Sequence, residues 1–166
     1  MTSPAVRRHV ILPSPIGPLT LVAGSGELIA LYMDSQRHRP AEDTLGVPGD
    51  PAAAPFAAAT SQLAAYFAGQ LTEFDLPLAP AGTVFQRQVW SALQTIPYGQ
   101  TWSYAQLAEK VGRATAVRAV GLANGKNPIA LVIPCHRVIG SDGSLTGYGG
   151  GLDRKRFLLD LESGAQ

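Results

Sequence analysis

Ser103-Tyr104-Ala105-Gln106-Leu107-Ala108-Glu109-Lys110-Val111-Gly112-Arg113-Ala114-Thr115-Ala116-Val117-Arg118-Ala119-Val120-Gly121-Leu122-Ala123-Asn124-Gly125 is the stretch on which the fold turns. Ser103 followed three residues later by Gln106 is a capping box, so a short helix starts there. It runs through Lys110 and ends at Gly112, and a second helix runs from Thr115 to about Asn124, closed by Gly125. Two short helices across a tight glycine-containing turn fit a helix-turn-helix; an ordinary αα-corner fits the pattern as well.

Upstream, Phe85, Val89, Leu93 and Ile96 recur at helical spacing and Pro97 stops the run, which predicts one more helix with an apolar stripe. Downstream, Asp153 to Glu162 reads as the last helix, with Asp153 as its N-cap. The first part of the chain reads differently. Arg8–Leu12, Leu19–Ala23 and Leu28–Met33 are apolar runs cut by Ser14-Pro15-Ile16-Gly17-Pro18 and Gly24-Ser25-Gly26-Glu27. Such tight spacing predicts an antiparallel meander. Residues 34–55 carry Pro, Gly, Asp and Ala without a period and read as a mobile loop. Ala57 to Gly69 predicts a helix, and residues 71–83 an extended linker. A boundary near residue 80 divides the chain into an N-terminal structural domain, 1–80, and a C-terminal domain, 81–166.

With 46% hydrophobic and 15% charged residues, the composition is that of a globular protein and excludes a disordered one. A run of about 18 apolar residues, the length of a membrane span, occurs nowhere. The N-terminal Arg7-Arg8 is followed by an apolar stretch cut by Pro13, Pro15 and Pro18, which is not a signal peptide. A single cysteine excludes an internal disulfide and a cysteine-rich metal cluster, and points to a reducing cytoplasm. His9 and His38 lack other soft ligands, so no metal and no cofactor are expected. Residues 1–80 hold four Arg/Lys against seven Asp/Glu, or −3, and residues 81–166 nine against five, or +4. A basic second half suits a polyanionic partner, although a difference this small also arises by chance.

The chemistry concentrates in Ile129-Ala130-Leu131-Val132-Ile133-Pro134-Cys135-His136-Arg137-Val138-Ile139-Gly140. An apolar run delivers the only cysteine, followed at once by a histidine and an arginine. A free thiol is only about 3% thiolate at pH 7, and nearby positive charge raises that fraction. A lone cysteine after an apolar run is also the usual core filler. Adjacent side chains diverge, so His136 would reach Cys135 more easily through a bridging water than directly. The glycine-rich Thr146-Gly147-Tyr148-Gly149-Gly150-Gly151 can bring backbone close to a ligand or serve as a flexible loop. It lacks the Gly-Lys-Ser/Thr ending of a phosphate-binding loop.

Pro134-Cys135-His136-Arg137-Val138 resembles the active-site signature of the O6-alkylguanine-DNA alkyltransferases, also called methylated-DNA–protein-cysteine methyltransferases. Ser103–Ala108, Arg118-Ala119-Val120-Gly121, Asn127-Pro128, Tyr148–Leu152 and Lys155 stand in the family's order and spacing, so the resemblance covers residues 83–162. It implies an α+β fold: an N-terminal domain with a small antiparallel sheet and a helix, and a C-terminal helical domain. The latter would hold a winged-helix-like helix-turn-helix and the active-site cysteine.

The resemblance also implies roles. Cys135 would take the alkyl group from guanine O6, His136 would act on it through a water, and Glu162 would orient His136. Tyr104 would protonate the leaving guanine, and Asn127 would tie the helix-turn-helix to the active-site segment. Arg118 would enter the base stack when the lesion flips out. Val138, Tyr148, Gly149 and Gly150 would line the pocket, with Lys155 beside them. Ala116, Ala119 and Gly121 are small enough to let the second helix approach a minor groove.

The sequence departs from family habit at three positions. Many relatives carry serine at Gly149, some carry a smaller alanine at Val117, and some carry proline at Ala130. A silent branch of the family replaces the nucleophile with tryptophan, and Cys135 argues against that branch. The implied activity is irreversible, single-turnover repair of O6-alkylguanine in double-stranded DNA, with O4-alkylthymine as a further candidate lesion. A monomer in solution is expected, with clustering on DNA left open. Arg37 and Arg39 could reach DNA or a second copy, against the nearby Asp34, Glu42 and Asp43. Two alternatives compete: a non-catalytic binder of alkylated DNA, and a Cys-His hydrolase, for which no oxyanion-hole signature is evident.

Overall fold

The computed structural model describes residues 6–37 and 39–164. His38, weighed above as a metal ligand, lies outside them. Three strands, β1 (Arg8–Leu12), β2 (Leu19–Gly24) and β3 (Glu27–Met33), form an antiparallel meander in which Val10 pairs with Leu21 and Leu21 with Leu31. The residues expected to be strands are strands, because short apolar runs between tight turns have no room for anything else.

The 34–55 segment is more ordered than its lack of period suggests. It contains a 3-10 turn at Glu42–Thr44 and a short strand β4 (Val47–Pro48) that pairs parallel with β1, Arg8 opposite Val47. The sheet, ordered β3-β2-β1-β4, is therefore mixed rather than wholly antiparallel. The enabling residue is Gly46, at φ +84°, where a Cβ would lie 2.1 Å from the carbonyl oxygen of Arg7. Only glycine permits that approach, and a two-residue strand has no periodicity to read.

Helix α1 (Phe56–Phe67) packs Phe56, Ala59, Leu63 and Tyr66 into the core. Helix α2 (Val84–Leu93) begins with a capping box between Thr83 and Gln86 and ends before Ile96, which is buried in the following turn. Trp90 of α2 donates its indole N–H to the carbonyl of Ala123 at 2.9 Å. Strand β5 (Trp102–Ser103) leads into α3 (Tyr104–Lys110), where the Ser103–Gln106 capping box is formed. Helix α4 (Val117–Gly125) starts two residues later than expected, with Ala116 at its N-cap and no side-chain cap.

After α4 the chain runs through Ile129–Ile133, every residue buried, into a 3-10 turn at Cys135–Arg137 and then β6 (Val138–Ile139). Strand β6 pairs parallel with β5, so the helical half carries its own two-stranded wing. The last helix, α5 (Leu152–Ser163), is capped by Gly151 and not by Asp153, which sits inside the first turn. At φ +94°, Gly151 takes a position a branched cap could not adopt without strain. Asp153 there still complements the helix dipole.

The two halves share one hydrophobic core, from Val10 and Leu21 to Val120 and Leu158. The edge of β3 joins them directly: the Leu31 N–H donates to Pro128 O at 2.9 Å, and the Ala130 N–H to Leu31 O at 3.4 Å. Arg154 of α5 adds a second tie, donating to the carbonyls of Ile16 and Asp34 and pairing with the Asp34 carboxylate. The sheet thereby holds the segment that leads to the cysteine.

Candidate active site

Cys135 is 7% exposed, at the start of a 3-10 turn whose entry is fixed by a hydrogen bond from its N–H to Ile133 O at 2.8 Å. Asn127 braces the same segment from the end of α4. Its Nδ2 donates to Ile133 O at 2.7 Å, and its Oδ1 accepts from the Ile129 N–H at 3.0 Å. Burial pushes the Cys135 thiol up; the amide of Asn127 and the Lys155 charge pull it partly back. At neutral pH the thiol is therefore protonated and needs a base to take its proton.

His136, wholly buried, donates from Nε2 to Glu162 Oε2 at 2.7 Å. That tautomer leaves Nδ1 as the ring's acceptor, and Nδ1 has no partner among the described residues. Burial lowers the His136 pKa, and Arg137 and Lys155 add to the effect while Glu162 opposes it, so the ring is neutral. Glu162 is also held by Arg137, whose Nε donates at 2.7 Å, and by the Tyr66 hydroxyl at 2.5 Å. Burial by itself would raise the carboxyl; hydrogen bonds and charge from His136 and Arg137 outweigh it and hold Glu162 at about 2. With the imidazole neutral, Arg137 carries the compensating charge. Its Nη2 donates to Glu162 Oε2 at 3.1 Å and its Nη1 to Ile96 O at 2.7 Å, so the carboxylate and the guanidinium are both engaged while, among the described residues, His136 Nδ1 alone of the cluster stays open.

Lys155 lies wholly buried, its Nζ donating to Val138 O at 2.6 Å and Thr146 O at 2.8 Å. Burial lowers it to about 8, opposed by the nearby cysteine when anionic. It therefore clips the glycine-rich segment to the strand beside Cys135.

A cavity of about 20 Å³ opens in front of Cys135, with Asn127, Tyr148, Gly149 and Gly150 among its walls. That volume suits one water and falls far short of the several hundred Å³ of ordinary ligand sites. Val138 is buried behind, its carbonyl taken by Lys155. Tyr104 stands apart from this wall: its ring packs against Gly121 and its hydroxyl lies 3.5 Å from Thr146 O. Arg118 and Ala119 are exposed on α4, with Ala116 and Gly121 half-buried beside them. They form a separate outer surface.

Gln36 and Asn124, which sequence reasoning did not single out as site residues, also line the wall. Gln36 arrives from the far half of the chain, where the Arg37 N–H donates to Gly149 O at 2.7 Å, and no local pattern announces it. Asn124 did leave a signal: it falls on the buried face of α4 with Val120 and Ala123, a polar residue on an apolar stripe. Arg39, considered above as a DNA contact, instead folds back onto Thr20 and Glu42. Among the described residues no group of His, Cys, Asp and Glu could hold a metal ion.

Two family domains match most of the chain: the ribonuclease-like domain of 6-O-methylguanine DNA methyltransferase over residues 7–80, and its DNA binding domain over residues 84–164. A methylated-DNA–protein-cysteine methyltransferase of Mycolicibacterium paratuberculosis is 59% identical over 149 residues, covering 90% of this chain and 88% of that protein. Its counterpart in Methanosarcina barkeri is 51% identical over 154 residues, covering 92% and 94%. Among solved structures, Mycobacterium tuberculosis OGT in complex with DNA superposes with a TM-score of 0.88 at 54% identity, covering 95% of this chain and 93% of that one. A buried cysteine beside a carboxylate-held histidine, in a fold and sequence shared this fully, places the chain in the 6-O-methylguanine DNA methyltransferase family.

Proposed function

We propose that this protein repairs O6-alkylguanine in double-stranded DNA by moving the alkyl group irreversibly to its own Cys135. The observation that carries the reading is the buried His136–Glu162 pair, with Nδ1 bare, next to the only cysteine. In the step proposed, a bridging water passes the thiol proton to His136 Nδ1, and Sγ attacks the alkyl carbon. The S–C bond forms as the C–O6 bond breaks, and the guanine leaves with a proton from Tyr104. Glu162 keeps the ring oriented and takes no proton itself, since its carboxyl stays ionised far below neutral pH. The product thioether has no carbonyl for water to attack, and a thiolate is a poor leaving group from sp³ carbon. Each molecule therefore acts once.

The outer face of α4 is proposed as the DNA surface, with Arg118 filling the stack where the lesion leaves it. Ala116, Ala119 and Gly121 present little bulk there, which favours a minor groove over base reading in the major groove. A cavity this small has to widen before a base can enter. Tyr148, Gly149, Gly150 and the Val138 strand then flank the base, and Lys155 ties that strand to the glycine-rich loop at Thr146. The protein is proposed to act as a monomer, in the reducing cytoplasm that suits a lone working thiol.

Intact-protein mass after mixing with a duplex carrying one O6-methylguanine tests the reading, beside a Cys135→Ala control. The expected result is a gain of one CH₂ per protein, saturating at one and absent from the control. Tight lesion binding without a mass gain would instead mean a recognition protein with an idle thiol. Neither binding nor gain would overturn the whole reading.

A further inference from the structure

Tyr66, 1% exposed near the end of α1, donates its hydroxyl to Glu162 Oε2 at 2.5 Å. The same oxygen accepts from His136 Nε2 at 2.7 Å and from Arg137 Nη2 at 3.1 Å, whereas Oε1 takes the Arg137 Nε at 2.7 Å. A carboxylate oxygen has about two lone pairs, so three donors on one oxygen share what it can offer. What Tyr66 draws from Oε2 is no longer there for the imidazole. Core packing does not ask for this hydroxyl. The ring of Tyr66 meets Phe67 and Tyr98 edge-on and Phe74 at a tilt, and a phenylalanine ring would fill that place as well. The oxygen is what sets Tyr66 apart from a core aromatic, and it is aimed at the carboxylate that holds the base.

His136 faces Glu162 and Lys155 of α5 and Arg137 of its own turn, with the Cys135 thiol next to it in the chain; Tyr66 faces Glu162, Arg137 and Tyr98. Between pH 7 and 4 Glu162 stays ionised, and Lys155 and Arg137 stay cationic. Over the same interval Tyr66, Tyr98, Tyr148 and Cys135, all raised, keep their protons. The imidazole is the member of this group that changes charge there. We propose that Tyr66 is a positioning residue of the transfer reaction, whose hydroxyl restrains the pull of Glu162 on the imidazole and so keeps His136 neutral, with Nδ1 open to the thiol proton. This rests on the reading of His136 as the base that activates Cys135. In that step the thiol proton passes through the bridging water to Nδ1, the ring becomes imidazolium, and Nε2 keeps its own proton on Glu162. An unrestrained carboxylate would favour the imidazolium before any substrate arrives, and a ring already protonated has no lone pair with which to accept. Because Tyr66 belongs to α1, the N-terminal half then takes part in the chemistry and not only in packing.

Tyr66→Phe keeps the ring and removes the hydroxyl. Two quantities are followed in parent and variant from pH 4 to 8. One is the single-turnover methyl-transfer rate from a duplex carrying O6-methylguanine, read by intact mass. The other is the titration of the His136 ring, read by NMR in the protein without DNA, with His9→Asn and His38→Asn variants to assign its signal. In Tyr66→Phe the acid limb of the rate and the ring titration are both expected to move up by about half a pH unit or more, which halves the relative rate at the parent's own midpoint. A hydroxyl that only supports the fold would lower the rate by one factor at every pH and leave both midpoints in place. Either midpoint unmoved overturns the inference and leaves the repair reading intact. The parent protein offers a second measurement that needs no variant. The Tyr66 hydroxyl proton, in a short hydrogen bond out of solvent, is expected at low field and to move upfield as His136 takes its second proton and draws on the shared oxygen. A hydroxyl resonance indifferent to that titration overturns the inference as well. No transfer by the parent at any pH would overturn the repair reading, and this inference with it.

Discussion

Burial acts on Cys135 and His136 in opposite directions, raising the thiol and lowering the imidazole, so at pH 7 both start uncharged. That pairing explains how a thiol kept out of solvent can still be activated. The proton has to move only when the alkyl carbon arrives, and the acceptor nitrogen is already free. A base with a lowered pKa also stays competent in mild acid. The transfer rate should therefore hold steady from pH 8 down through 6.5 and fall only below it, as His136 becomes protonated. Single-turnover rates across pH 5 to 8 check this, and an acid limb centred at or above 6.5 would show a different base. At this scale Cys135 and its neighbour were legible, because a lone nucleophile followed by His-Arg is written contiguously. The roles of Tyr66 and Gln36 were not. Tyr66 lies 96 residues from the carboxylate it binds, and nothing in its own helix distinguishes it from a core aromatic.

Helices α4 and α5 do different work with similar lengths. Helix α5 ends at the active site, and its Glu162 joins His136, Arg137 and Tyr66. Replacing Glu162 with Gln keeps the shape and removes the charge, which leaves the Arg137 guanidinium buried without its counter-ion. Breaking a buried pair on one side costs about 3–5 kcal/mol, so Glu162→Gln should lose that much in urea unfolding. A loss under about 1 kcal/mol, the scale of an exposed pair, would mean that Arg137 finds other compensation. Helix α4 instead turns outward, with Arg118, Ala119 and Leu122 exposed and Val120, Ala123 and Asn124 buried. Periodicity and caps sufficed to locate both helices. They failed at the starts, at Ala116 and Gly151, where backbone conformation rather than a capping side chain sets the boundary. They failed also at β4, whose two residues depend on what Gly46 allows across the sheet.

Across the whole molecule, the halves are distinct in sequence character yet continuous in packing. The change from strand runs to helical stripes near residue 80 was readable, but the pairing of β3 with Pro128 and Ala130 was not. That pairing joins segments a hundred residues apart and leaves no local trace. Its consequence is that the acidic half, which holds no proposed nucleophile, fixes the backbone that presents Cys135. Charge state couples to this shared core through the buried cluster. Glu162 is held at about 2 when folded, below its ordinary 4.5, and His136 is held below 6.5. In both cases the unfolded chain binds more protons than the folded one as pH falls through these windows, so unfolding gains on acidification. His136 contributes its share of the loss below pH 6.5, and Glu162 adds its own from about 4.5 towards 2. On the alkaline side the signs conflict. Lys155, lowered to about 8, makes folding more favourable as pH rises towards 10.5, whereas Cys135, Tyr66 and Tyr148, all raised, make it less so. The acid limb is therefore where the prediction is clean: the urea midpoint should fall steadily between pH 7 and pH 4, without a change in slope of the unfolding transition. A midpoint that stays flat or rises over that range would mean that the His136–Glu162–Arg137 cluster does not hold these protonation states in the folded protein.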